Sequence, residues 1–282
     1  LQKYGINITE QISRLKKYDC VIDALFGVGL SRAPSGIYAQ WIQIMNQLGG
    51  FHLAVDMPSG VSSDDGCAYD PSFAADLTVT FAYQKAGQMF YPGREKCGDV
   101  ITADIGITND SWLERRPTCF ALEPEDLKEI PKRPARSNKG MFGRVLVIAG
   151  STNMAGAALF CAQAAYVGGC GLVRLFTSEA NRVILQSTLP EAILTTYQET
   201  DAEAEIIKVN EALAQAIAWA DVIALGPGLG RSRTACRIAE QVLLTADIPV
   251  IADADALNII AEKTELLASA SAALVVTPHL GE

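Results

Sequence analysis

Short apolar runs recur along the chain, and most of them stop at a glycine, an aspartate or a proline-containing turn. In the first half, DCVIDALFG (Asp19–Gly27) predicts a buried strand, and GIYAQWIQIMNQLGG after it predicts a helix. There Ile37, Trp41, Ile44 and Leu48 recur at spacings of four, three and four, one helical face that Gly49 and Gly50 end. FHLAVDMPSG, ADLTVTFAY and GDVITADIGI predict three more strands. Strand, helix and strand in this rhythm imply a mostly parallel sheet covered by helices.

Between Thr108 and Lys139 the rhythm breaks. That stretch carries four prolines, many charges and no long apolar run, as an inter-domain connection does. The boundary is placed near Arg116, giving domains 1–116 and 117–282. The second half then restarts the alternation: GRVLVIAGS predicts a strand and GAALFCAQAAYVG a helix opening directly from it. LVRLFTS, DVIALGPGLG, PVIADADALN and ALVVTPHLGE predict further strands, with helical stretches such as Thr234–Leu244 between them. The expected fold is α/β, two Rossmann-like three-layer domains. Ligands in such sheets gather at the carboxyl ends of the strands, where these polar turns sit.

Composition narrows the function. No run of about 18 or more uncharged apolar residues occurs, so no transmembrane helix is expected. A net charge of −9 argues against a binder of nucleic-acid backbone, which needs clustered Lys and Arg. The seven cysteines are odd in number and form no CxxC pair, which points to free thiols in a reducing cytosol rather than zinc or disulfides. The first ten residues lack the basic-then-apolar start of a secretory signal.

Candidate chemistry clusters at the turns. Gly27 and Gly29 follow a strand and leave backbone N–H groups open to a phosphate. Asp23 interrupts an apolar strand, and a buried carboxylate requires a cation or hydrogen-bond donors. Asp56 precedes a Pro-Ser-Gly turn, a usual place for an acid or base facing a cleft. Taken singly, these residues read equally as turn caps, with Ser59 making a local turn bond.

In order and spacing, VDALFGVGLSR, LAVDMPSGV, ADLTVTFAYQKAG and GDVITADIGI resemble the later two-thirds of the NAD(P)HX epimerase domain. KGMFGRVLVIAGS, GAALFCAQAA, LPEA, GPGLGRS, DADALN and TPHLGE resemble the ADP/ATP-dependent NAD(P)HX dehydratase domain, which has a ribokinase-like fold. Joined in this order, the halves look like the bifunctional nicotinamide-nucleotide repair proteins of bacteria. The resemblance implies that Asp23 and Ser59 coordinate potassium. It further implies that Gly27, Val28, Gly29, Leu30, Ser31, Arg32 and Ala33 surround the substrate phosphates, and that Asp56 lies beside the hydrated nicotinamide ring as acid/base. In the second half it assigns substrate contacts to Ala157, Gly228 and His279. Each role suits its residue: Ala157 at a helix start leaves room for an anion, Gly228 lets backbone approach, and His279 ends a strand on a Pro turn. Lys85 and Lys139 also match family positions but read as solvated surface lysines. Asn138 stands where the family usually has His, and Leu280 where it usually has Pro.

The implied reaction is repair. The reduced dinucleotides add water across the 5,6 double bond of the nicotinamide ring, giving R and S hydrates. One half would interconvert these; the other would use ADP or ATP, with Mg2+, to phosphorylate the hydroxyl of the S form so that phosphate can leave. NADHX or NADPHX and ADP are the expected partners, in a cytoplasmic homo-oligomer without nucleic acid or membrane. The family's Asn-Asn-Gly-Gly-Asp-Gly loop, its Lys-Gly nucleotide segment and its Gly-Asp loop do not occur here. Both domains are therefore expected to be incomplete, and this chain alone inactive as a dehydratase. A ribokinase-like small-molecule kinase and a non-catalytic dinucleotide-binding module are the alternatives.

Overall fold

The computed structural model describes residues 2–9, 12, 17–112 and 117–279. The chain divides into two compact units, Leu1–Ile130 and Pro131–Glu282. Arg116, where the sequence places the boundary, lies outside the described residues, as does Leu280.

In the first unit, strands β1 (Cys20–Asp23), β2 (Phe51–Val55), β3 (Leu77–Phe81) and β4 (Asp99–Ala103) form a parallel sheet in sequential order. Ile22 stands opposite Leu53, and Leu53 opposite Leu77. Helix α1 (Gly36–Gln47) joins β1 to β2, and the short α2 (Gly93–Cys97) precedes β4. One sheet face packs Val21 and Ala54 against Ile42 and Met45 of α1, with Phe73 completing the core. The other face leaves Ile22, Phe51, Phe81 and Ile101 exposed, Ile22 by 59%.

Two expectations need correction. The run Asp19–Gly27 is a four-residue strand buried on one face only, because the helix that follows covers just that face. The buried stripe of α1 is Ile42 and Met45, while Trp41, Ile44 and Leu48 flank it and Ile37 is exposed. The helix is thus turned by about 100°, one residue step, from the face its spacing predicted.

The second unit is wound both ways from its first strand. Strands β5 (Arg144–Ile148), β6 (Leu172–Ser178), β7 (Ile193–Tyr197), β8 (Val222–Leu225), β9 (Val250–Ala252) and β10 (Leu274–Val276) lie parallel in the order β10-β9-β8-β5-β6-β7. Helices α3 (Ala155–Val167), α4 (Arg182–Thr188), α5 (Glu203–Trp219), α6 (Arg233–Thr245), α7 (Asp255–Glu262) and α8 (Glu265–Ser269) connect them. Both faces are covered: Val147, Val173 and Leu175 pack with Ala158, Ala162 and Leu185. Leu146, Ile148, Ile223 and Leu225 pack with Leu213, Ile238 and Val242 on the other side. Near-continuous apolar runs are what a parallel sheet buried on two faces requires. Since β5 is flanked by β6 and β8, the chain reverses its winding there, and the crevice of such a sheet opens at the carboxyl ends of β5 and β8. No helix among the described residues is long and apolar enough to cross a membrane.

Candidate functional site

The turns after β1, β2 and β3 converge on two carboxylates. Asp23, the last residue of β1, is fully buried, and so is Ser59. Its Oδ2 accepts from Ser59 N at 2.7 Å; its Oδ1 accepts from Ser59 Oγ at 2.7 Å and from Leu25 N at 3.2 Å. Ser59 Oγ in turn accepts from Phe26 N at 3.0 Å, so the hydroxyl links the carboxylate to the start of the glycine loop. Burial pushes the Asp23 carboxyl above its ordinary value, against the hydrogen bonds from Ser59 and Leu25. Of the two kinds of partner a buried carboxylate can take, protein hydrogen-bond donors are the ones seen at Asp23. The donor set still suits a hard cation: a carboxylate offers about four lone-pair sites, and three are in use.

Asp56 follows β2 with φ +68°, a left-handed conformation uncommon for a residue with a side chain. Its backbone is fixed by Asp56 N donating to Val79 O at 2.8 Å and by Gln88 Nε2 donating to Asp56 O at 2.7 Å. Its Oδ1 accepts from Lys85 Nζ at 2.5 Å, from Thr80 Oγ1 at 3.2 Å and from Phe81 N at 3.2 Å. Burial raises the Asp56 carboxyl, but the hydrogen bonds from Lys85, Phe81 and Thr80 and the lysine charge outweigh it and hold the group below its ordinary value. Oδ2 accepts no hydrogen bond among the described residues and faces Gly27, where an added Cβ would stand 3.5 Å from it. Lys85 is therefore no surface lysine; its side chain is 18% exposed and spent on this cluster.

Phe26 to Arg32 line an open cleft of about 400 Å³. The loop from Gly27 to Ala33 does not run straight into a helix: Pro34 and Ser35 intervene before α1. An anion in that cleft would meet loop backbone rather than a helix terminus. Gly29 has φ +88° and open space around it, so the strain of a side chain there would be conformational alone.

In the second unit, the turns after β5, β8, β9 and β10 are laced together. Gly150 N donates to Pro227 O at 3.0 Å and Ser151 N to Gly228 O at 2.6 Å, which joins both sides of the crevice where the winding reverses. Beneath it, the buried Asn181 donates through Nδ2 to Gly150 O at 2.9 Å and Ser151 O at 3.0 Å. Thr177 Oγ1 donates to Gly150 O at 2.8 Å. Gly230 N donates to Asp255 Oδ2 at 2.7 Å, and Thr277 Oγ1 to Asp253 Oδ1 at 2.9 Å.

Ala157 and Gly228 meet here. A Cβ on Gly228 would stand 2.8 Å from Cβ of Ala157 and 3.1 Å from Cβ of Met154, and its φ is +60°. Glycine is thus required for packing inside the protein, whatever else approaches it. Ala157 is the third residue of α3, in its first turn. His279 lies three residues beyond β10 and is exposed. Lys139 is exposed, and Asn138 caps the turn at Lys139–Met141 through Oδ1, which accepts from Gly140 N at 3.0 Å. Sequence reasoning missed Lys85, Thr80, Gln88, Asn181 and Asp255. Lys85 had one signal, its match to a family position; Thr80, Gln88, Asn181 and Asp255 had none.

A family model described as NAD(P)H-hydrate dehydratase matches residues 145–282, and one described as YjeF-related protein N-terminus matches residues 1–87. A bifunctional NAD(P)H-hydrate repair enzyme of Moorella thermoacetica is 35% identical over 265 residues, 94% of this chain and 50% of the relative. Over most of its length the chain is thus similar to the bifunctional NAD(P)H-hydrate repair enzymes. It spans about half the length of the curated relatives it matches. Among solved structures, a ribokinase-like superfamily protein of Enterococcus faecalis is 30% identical with a TM-score of 0.47, covering 56% of this chain and 53% of that one. An ADP/ATP-dependent NAD(P)H-hydrate dehydratase of Bacillus subtilis, co-crystallised with ATP/Mg2+, is 26% identical with a TM-score of 0.38, covering 53% and 62%.

Proposed function

We propose that this chain serves nicotinamide nucleotide repair, with an epimerase half in residues 1–116 and a dehydratase half in residues 117–282. The observation that carries the reading is the presence, in one chain and in this order, of matches to both family models. In the epimerase half, Asp56 acts as the acid/base at the C6 hydroxyl of the hydrated ring, through its unbonded Oδ2. Its lowered pKa suits a base that is ionised at neutral pH. The loop amides from Gly27 to Ala33 bind the dinucleotide phosphates. Asp23 and Ser59 are the residues that would hold potassium, and the ion would supply positive charge beside that loop.

In the dehydratase half, substrate occupies the crevice formed by Ala157 and Gly228, with His279 as a further contact. Small residues admit a bulky dinucleotide, and the laced turns hold the crevice without a charged side chain at its centre. ADP or ATP with Mg2+ serves as phosphoryl donor, as in the name of the Bacillus subtilis relative; no residue of this chain is assigned to it. Phosphorylation of the hydroxyl converts a poor leaving group into phosphate, which departs from C6 as the ring nitrogen supplies electrons; loss of the C5 proton then restores the 5,6 double bond of NADPH. We place the protein in the cytoplasm as a homo-oligomer.

The test is a mixture of R and S NADPH hydrates given to a full-length protein carrying this sequence, with and without ADP or ATP. Complete recovery of NADPH absorbance only with nucleotide is expected. Recovery of neither hydrate would overturn the reading.

A further inference from the structure

Lys85 carries a full set of contacts that the family-level reading leaves without a purpose. Its ammonium has three N–H donors, and three acceptors take them: Asp56 Oδ1 at 2.5 Å, Thr80 Oγ1 at 2.8 Å and Phe81 O at 3.0 Å. None is left for a ligand. A lysine placed to bind phosphate would keep its ammonium open towards the cleft. This one faces the carboxylate and the end of β3.

The consequence falls on Asp56. Its Oδ1 receives three hydrogen bonds, from Lys85, Thr80 and Phe81, while Oδ2 receives none among the described residues. Rotating the carboxylate would break all three at once. The free oxygen is thereby pinned towards Gly27, the first residue of the loop that lines the open cleft. Gln88, fully buried, holds both partners through one amide: Oε1 accepts from Lys85 N at 2.9 Å, and Nε2 donates to Asp56 O at 2.7 Å. Thr80, Phe81, Gln88 and Gly27, the residues packed about the carboxylate, bear no charge. Lys85 is the one charged group that acts on it among the described residues.

We propose that Lys85 is a positioning residue for the epimerase reaction: its three-point ammonium fixes one carboxylate oxygen of Asp56 and aims the free one at the glycine loop. This rests on the reading of Asp56 as the acid/base, and it adds a residue that acts only through Asp56. A carboxylate left to rotate would meet the C6 hydroxyl in several orientations, and a misplacement of about 1 Å costs roughly 100-fold in rate.

The experiment measures R-to-S epimerisation of NADPH hydrate by full-length protein, as kcat and kcat/KM against pH, for Lys85→Gln, Lys85→Arg, Asp56→Asn and the double variant Asp56→Asn with Lys85→Gln. Thermal melting of each verifies folding. Lys85→Gln is expected to lose roughly 100-fold in kcat, with little change in KM. Its acid limb should move to higher pH, because the carboxylate loses the partner that favours its ionised form. Lys85→Arg keeps the charge, so its acid limb should stay in place while kcat falls; it also serves if Lys85→Gln fails to fold. In the Asp56→Asn background, Lys85→Gln should bring no further loss. Full kcat with an unmoved acid limb in Lys85→Gln, or losses that simply add in the double variant, would overturn the positioning role alone. Undiminished epimerisation by Asp56→Asn would overturn the reading of the site, and the role of Lys85 with it.

Discussion

Both units gather polar turns at the carboxyl edge of a parallel sheet, yet they hold those turns by different means. In the first, charged side chains do the holding: the ammonium of Lys85 fixes Asp56, and the buried carboxylate of Asp23 ties Ser59 and the start of the glycine loop. In the second, backbone meets backbone, neutral Asn181 and Thr177 brace it, and the carboxylates of Asp255 and Asp253 accept from Gly230 N and Thr277 Oγ1. The first arrangement suits proton movement, because two carboxylates lie in environments that push their pKa values in opposite directions. The second suits admission of a large ligand, because backbone and small residues meet at its crevice.

The comparison breaks most sharply at Gly226. With φ +117°, a Cβ there would stand 2.0 Å from Asp253 O. Gly226→Ala should therefore cost the second unit about 4 kcal/mol, combining backbone strain with a clash against backbone. Urea unfolding followed by hydrogen exchange should show α6 losing protection while β2 keeps it. Equal loss in both would contradict the independence of the two arrangements.

Ser59→Ala probes the charged arrangement. It removes the hydroxyl between Asp23 Oδ1 and Phe26 N, leaving a buried donor and a buried carboxylate short of partners. A loss of about 2 kcal/mol is expected from thermal or urea unfolding. If Ser59 also holds potassium, melting of the parent protein should rise in potassium relative to a bulky organic cation at equal ionic strength, and Ser59→Ala should abolish that rise. A loss below half a kcal/mol would show that Asp23 is satisfied some other way.

The smallest effect is in pH dependence. Because the folded pKa of Asp56 lies below its ordinary value of 3.8, its ionised form stabilises the fold. That contribution is fully present above the unfolded pKa and is lost as pH falls through the folded one. The stability gap between the parent and Asp56→Asn should be constant near neutrality and close under strongly acidic conditions. A gap that widens in acid would reverse the sign and contradict the Lys85–Asp56 pairing.

Most strands were legible because each apolar run ends at its own turn signal; LVRLFTS coincides with β6 residue for residue. Strand β7 and helix α5 left weaker marks. ILTTY ends without glycine or proline, and α5 starts after Ala202, which offers no capping side chain. The face of α1 was misread because its apolar residues span nearly half its circumference, and only the sheet decides which of them are buried. Asp23, Ser59 and Asp56 stood out as polar residues at strand ends. Lys85 did not, since its partner lies 29 residues away and nothing local distinguishes it from a solvated lysine.

The account turns on Asp56 as an acid/base confined to one of two separate sites. The most direct measurement compares two rates in a full-length protein carrying Asp56→Asn: conversion of R to S hydrate, and nucleotide-dependent dehydration of the purified S hydrate. The account predicts epimerisation lowered by about 100-fold or more, with dehydration at the parental rate. Equal loss of both rates would contradict it and return Asp56 to a structural role.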